Sequence, residues 1–205
     1  MNLAACPALP HTPLTGTWFR AIQPQFWQTS LQTVHTASIP GRFNAGNQAA
    51  PGFEILYLSE NPMVALFEVQ SLFGSPTSPG SVLTNPRHAW IIINVDVRLQ
   101  SVVDLTDVAA VQNPLGTNAQ ELTGDWRGYG QRSPQTSVTV PTGPAPTQQL
   151  GHALNAVPHL EGVQTLSAKL PYHRNLVIFP QKLRAGSRVQ FIHPATGQRH
   201  VIATP

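Results

Sequence analysis

The clearest regularity in the chain is the alternation over residues 90–99. Ile91, Ile93, Val95, Val97 and Leu99 fall on one side, with Asn94, Asp96 and Arg98 between them, which predicts a half-buried strand. Residues 101–105 continue it or pair with it. Aromatic and β-branched content predicts an earlier strand over 17–22 and a second over 53–58. Asn61-Pro62 is a helix start signal and Gly74 a stop signal. Between them Met63, Leu66, Phe67, Val69 and Phe73 form a broad apolar face, while Val64, Ala65 and Leu72 fill much of the other side. A helix apolar almost all round is a buried one.

Further on, Thr106-Asp107 caps a short helix that ends before Pro114, and Thr117 with Gln120 has the spacing of a capping box. A proline-rich loop runs from about 127 to 146; loops of that length in a compact domain are often lids or binding loops. A helix begins at Thr147 and is ended by Pro158. Strands follow over 163–166 and 176–179, and a hairpin joins 189–192 to 199–202 through PATG. Residues 25–38 are loosely patterned, and Phe26 and Trp27 serve there either as core or as the walls of an aromatic slot. There are no repeats, no heptads and no regular βαβ beat. The fold class is mixed α/β (α+β): a curved, mostly antiparallel sheet with flanking helices. Residues 1–16, with several prolines and no periodicity, are expected to form an extended arm before one domain over 17–205.

Composition narrows the function classes. The chain has 205 residues, 10% of them charged, with 20 prolines and a formal net charge of +3. That length buries a core without staples. Three lysines or arginines never fall together, so nothing tracks a nucleic-acid backbone. The mild basicity suits an anionic small molecule or an acidic partner. Cys6 is the single cysteine and excludes an internal disulfide. Its LAAC setting suggests a lipoprotein cleavage site, without the charged leader and apolar run such a signal needs. No segment has the apolar length of a membrane span, and the expectation is a cytoplasmic protein.

Several chemistries drop out. There is no HExxH and no zinc-finger spacing, so no metal is expected. There is no GxSxG elbow, GxGxxG or phosphate loop. Asp104 and Asp107 are explained by a strand end and a helix cap, and His152 and His159 as surface or satisfied histidines. What stays is Arg20, Arg42 in a glycine-rich loop, Tyr57 at a strand exit, Glu68 as the single charge of its helix, and Ser167. A buried carboxylate must find a partner or shift its pKa. The plain alternative for Glu68 is a structural ion pair with Arg20 or Arg42.

GRFN (41–44), ILYLSENP (55–62) and ALFEV (65–69), with Glu68 eleven residues after Tyr57, resemble the RES domain, a family named for an arginine, a glutamate and a serine. ELTGDW (121–126), PTQQLGHAL (146–154), LEGVQTLSAK (160–169) and RNLVIFP (174–180) resemble its later blocks in order. The likeness covers residues 17–183 and supplies the naming residues as Arg42, Glu68 and Ser167. Phe43 departs from it, standing where the family usually has tryptophan.

The resemblance implies an ADP-ribosyltransferase-like fold and a toxin that consumes NAD by phosphorolysis or hydrolysis of its nicotinamide–ribose bond. The implied catalytic residues are Glu68, Arg42 and Ser167, and the implied NAD-binding residues are Arg20, Arg42, Tyr57, Ser167 and Asn175. NAD is then a substrate rather than a cofactor, with inorganic phosphate as a candidate co-substrate in an oxyanion pocket formed by the Arg42 loop, Ser167 and Asn175. The implied partner is a helix-turn-helix, Xre-like antitoxin that blocks the NAD site, in a hetero-oligomer or beside a homodimer; no nucleic acid or membrane is involved. Two rival readings are a transferase that marks a host protein and a catalytically silent nucleotide-binding module.

Overall fold

The computed structural model describes residues 1–48, 52–74, 79–87, 89–127, 129 and 143–203. Most of the proline-rich loop expected to act as a lid or binding loop lies outside the described residues. The elements are β1 (Thr12–Ile22), β2 (Leu56–Ser59), α1 (Pro62–Glu68), β3 (Leu72–Phe73), β4 (Leu83–Thr84), β5 (Ile91–Asp104), α2 (Asn113–Leu115), α3 (Ala119–Thr123), α4 (Pro146–Ala156), β6 (Gly162–Leu166), β7 (Arg174–Ile178), β8 (Arg188–Ile192) and β9 (Arg199–Ala203).

The main sheet runs β1-β2-β7-β6-β5-β8-β9, and β1 also pairs with β5. Five strands therefore close on themselves, with the β8–β9 hairpin branching off. Every pairing is antiparallel except β5 with β6, so the sheet is curved and mostly antiparallel, as its sequence pattern predicts. The long strand β5 makes the branch possible. Residues 96–98 pair with β8, and residues 102–104 pair with β6 on the same edge.

Glu161 pins this fork. Its side chain is fully buried. Oε2 accepts from the backbone amides of Gln100 and Ser101 at 2.5 and 3.0 Å, and Oε1 accepts from the backbone amide of Arg184 at 2.6 Å. A strand that changes partners leaves amides without a ladder, and a carboxylate with several lone pairs can satisfy them.

Consecutive apolar residues put core on both faces of β2 and β7. Val163 and Val177 pack with Leu150 and Leu154 of α4, Phe43, Leu115 and Leu122. On the other face Leu56, Leu58, Leu176 and Ile178 pack with Trp18, Val95, Val97 and Phe191.

The extended arm is not observed. Residues Leu3–Ala8 form a 3₁₀ helix that places Cys6 and Leu9 in the α4-side core, and β1 already begins at Thr12. Leu3, Cys6 and Leu9 bury apolar surface at a spacing that the prolines obscure.

The helix expected to reach Gly74 ends at Glu68. Asn61 caps its start, its side chain accepting from Val64 N at 3.0 Å. Its end is a Schellman turn: Ser71 N donates to Leu66 O, Gln70 N donates to Phe67 O, and Gln70 takes φ +58°. The apolar residues beyond it, Leu72 and Phe73, pair with Leu83 and Thr84 in a small ribbon.

Two smaller corrections concern caps. Asn118, not Thr117, caps α3, accepting from Glu121 N. Pro114 lies inside α2 rather than beyond a helix end; a π-turn over Val108–Gln112 leads into it. Of the two neighbouring aromatics, Phe26 is exposed, whereas Trp27 meets Phe191 edge-on at 5.3 Å.

Candidate active site

The Arg42 loop is a tight turn held from three sides. Gly41 N donates to Asn44 O at 2.8 Å. The Asn44 amide donates to Thr36 O and Ile39 O at 2.6 and 3.0 Å. Gln148, in the first turn of α4, donates to Gly41 O at 2.9 Å. Close approach leaves no room for other side chains at this turn. A Cβ on Gly41 would lie 2.6 Å from Asn44 Oδ1, and one on Gly151 would lie 1.9 Å from Phe43 O.

Tyr57 joins this clamp. Its hydroxyl accepts from Phe43 N at 3.0 Å and donates to Asn44 Oδ1 at 3.3 Å. Burial pushes its pKa up to about 12, so it stays a neutral donor. The hydroxyl is thus committed to the loop, while the residue also lines the cleft.

Arg42 is fixed by this loop and is 8% exposed. Its Nη2 donates to Leu166 O at 2.7 Å, and its guanidinium carbon sits 4.9 Å from the Phe43 ring centroid. Burial lowers its pKa, and the nearby Glu68 and Tyr57 partly offset that. Among the described residues, its buried Nη1 has no hydrogen-bond partner, and neither has Nη1 of Arg20 on β1. Desolvation pushes Arg20 down to about 10, which leaves it cationic at neutral pH. Buried cationic donors without an acceptor are costly.

Glu68 is the last residue of α1. Ser167 Oγ and Asn175 Nδ2 both donate to its Oε1 at 2.6 Å. Ser167 Oγ in turn accepts from Lys169 N and Leu170 N at 3.1 and 3.0 Å, which aims its own proton at Glu68. Ser59 lies opposite Asn175 in the β2–β7 register and donates to Asn175 Oδ1 at 2.9 Å, turning the amide nitrogen towards the carboxylate.

The ion-pair alternative for Glu68 does not hold. Among the described residues no arginine comes within the 4.0 Å limit of an ion pair with it. Two neutral donors orient the carboxylate without discharging it, and both use Oε1.

These groups meet at a cleft of about 460 Å³ that includes Arg20, Arg42, Tyr57, Glu68, Lys169 and Asn175 in its walls. Ser167 is 3% exposed and braces Glu68 from behind rather than lining the cleft. All six predicted site residues therefore converge, five on the wall and one behind it.

Sequence reading missed the supports Ser59, Asn44 and Gln148. It also missed Trp126 and Arg127, which line the cleft with the guanidinium 4.7 Å from the indole. ELTGDW was the sequence signal for those two. Among the described residues no group of three or more His, Cys, Asp or Glu is placed to hold a metal, and no helix is long and apolar enough to cross a membrane.

A search of curated proteins found no match to this chain. Among solved structures, the M. tuberculosis MbcT–MbcA toxin–antitoxin complex contains a chain similar in fold. The TM-score is 0.64 at 20% identity, covering 98% of this chain and 91% of that one. The family model of the RES domain matches residues 17–199. With Arg42, Glu68 and Ser167 gathered at one cleft and that model spanning most of its length, the chain belongs to the RES domain family.

Proposed function

We propose that this protein is an NAD-consuming enzyme that breaks the nicotinamide–ribose bond, and that it acts as the toxin of a toxin–antitoxin pair. The observation that carries the reading is the Glu68 carboxylate, held on Oε1 by Ser167 and Asn175 in a cleft with two unsatisfied arginine nitrogens. Leaving of nicotinamide takes the bonding electron pair to the ring nitrogen and develops positive charge on the ribose, as in glycoside cleavage. A preorganised carboxylate stabilises that charge and accepts from a ribose hydroxyl. Arg20 and Arg42 offer their free N–H groups to the pyrophosphate, whose two negative charges would satisfy both. Tyr57 presents its ring to the nicotinamide.

Inorganic phosphate is the favoured acceptor. The cations Arg20, Arg42, Arg127 and Lys169 outnumber the carboxylates Glu68 and Asp125 along the cleft, leaving positive charge beyond what one pyrophosphate needs. A phosphate oxygen then attacks the sugar carbon, giving ADP-ribose 1″-phosphate and nicotinamide. The similar chain in the MbcT–MbcA complex is a toxin bound to its antitoxin, and a helix-turn-helix antitoxin that covers the cleft is the partner we expect.

The test follows nicotinamide release from purified protein while phosphate is varied, with mass spectrometry of the other product. Phosphate-dependent release and a sugar phosphate are expected. Plain ADP-ribose formed at a rate indifferent to phosphate would replace phosphorolysis with hydrolysis. Absence of nicotinamide release under all conditions would leave a silent binding module.

A further inference from the structure

The β8–β9 branch carries an unexplained concentration of charge, away from the cleft. In register, Arg98 of β5 stands directly opposite Arg188 of β8. Both are exposed, and residues so paired have their Cβ atoms about 5 Å apart, where like charges destabilise a sheet. The same face continues onto β9. Ile192 stands opposite Arg199, and Gln190 opposite Val201. Arg199, Val201 and Ala203 are exposed, while the alternate residues His200 and Ile202 are partly covered.

The one acidic group in these rows is Asp96, which accepts from Thr17 Oγ1 at 3.1 Å. Three arginines and one aspartate give the face a net charge of about +2. Among the described residues none of the three arginine side chains makes an ion pair. Protection of a sheet edge explains an arginine on β9. It does not explain Arg98 and Arg188, which lie on strands flanked on both sides.

Strand β9 is also the end of the sheet and pairs with β8 alone among the described residues. Its outer edge offers a row of backbone groups beside the arginines. We propose that this edge and face form a docking surface for an extended acidic segment of a partner protein, added as a strand beside β9. Such a strand would set carboxylates on the outer face near Arg199, Arg188 and Arg98, and apolar side chains on the inner face beside Ile202. Backbone pairing supplies affinity and the charge pattern supplies selectivity. A second copy of this chain fits less well, because it would set two faces of net positive charge side by side. Nucleic acid fits less well too, since three arginines beside an aspartate, with no exposed aromatic among the described residues of these three strands, make a poor phosphate track.

The test uses fluorescence anisotropy of a labelled eight-residue peptide of alternating Glu and Val against the full chain. Its controls are the Gln–Val peptide, a peptide N-methylated on every second residue, and oligo-dT of matched charge. The acidic peptide is expected to bind at least tenfold more tightly than the first two controls and than oligo-dT. Arg98→Gln/Arg188→Gln should weaken it by about tenfold. Because that variant removes a repulsion, its Tm should rise by about 1–3 °C with nicotinamide release unchanged. Equal binding of the Glu and Gln peptides, or binding untouched by N-methylation, would overturn the proposal. Tighter binding of oligo-dT would replace the protein partner with nucleic acid, and a dimer broken by Val201→Lys would replace it with a second copy.

Discussion

Ser167 and Glu68, 99 residues apart in the chain, meet at 2.6 Å with the hydroxyl donating to Oε1. The direction of that bond decides the serine's role. Two backbone amides already donate to Ser167 Oγ, so its single proton is left for Glu68. Ser167 acts as a positioning residue that fixes the carboxylate.

Ser167→Ala should therefore lower kcat by roughly ten- to a hundredfold with a smaller change in KM, since a loosened carboxylate loses preorganisation more than binding. Steady-state kinetics with NAD separates the two. A change confined to KM would place Ser167 on the substrate instead.

Arg20 carries a cost that a bound anion would relieve. Burial holds its pKa at about 10, below the value near 12.5 of an unfolded chain. A lowered cation pKa means that the charge opposes folding at every pH below about 10, and that the cost fades as pH rises through that value. Arg20→Met should thus raise the Tm of the ligand-free protein at pH 7 and abolish the Tm increase that pyrophosphate gives the wild type. Calorimetric scans with and without pyrophosphate check both signs.

Much of the sheet was legible because alternation in β5 reports a strand buried on one face, and the continuous apolar run of β7 reports burial on both. Site membership of Arg42, Glu68 and Ser167 was legible through sequence blocks, each too short to specify its contacts. The end of α1 was not legible. Leu72 and Phe73 continue an apolar helical pattern, and nothing in Gln70 advertises the left-handed conformation that stops it. The supports of the Arg42 loop were hidden for another reason. Gln148 and Asn44 are ordinary polar residues until the fold brings α4 against the loop across 104 residues.

The Schellman turn gives a stability test. Gln70 is exposed, and its φ of +58° suits glycine better than glutamine. Gln70→Gly should stabilise the protein by about 0.5–1 kcal/mol, read as a higher midpoint in urea with an unchanged slope. A lower midpoint would mean that the turn is not strained.

Glu161 should be the opposite case. Replacing it with glutamine points an amide nitrogen at backbone donors that need an acceptor. The expected loss is about 3 kcal/mol, or a fall in Tm of about 6–12 °C for a domain of this size. A variant of wild-type Tm would show that the fork between β6 and β8 needs no such pin.

Glu68→Gln bears most directly on the proposed chemistry. The amide keeps the shape of the side chain and deletes the charge that meets the cationic ribose. The measurement is nicotinamide release from NAD by wild type and variant, at equal concentration and matched Tm. Stabilisation of the ribose cation by Glu68 predicts a loss of at least roughly a hundredfold with NAD binding largely retained. Release at a near-normal rate by a folded Glu68→Gln protein would contradict it.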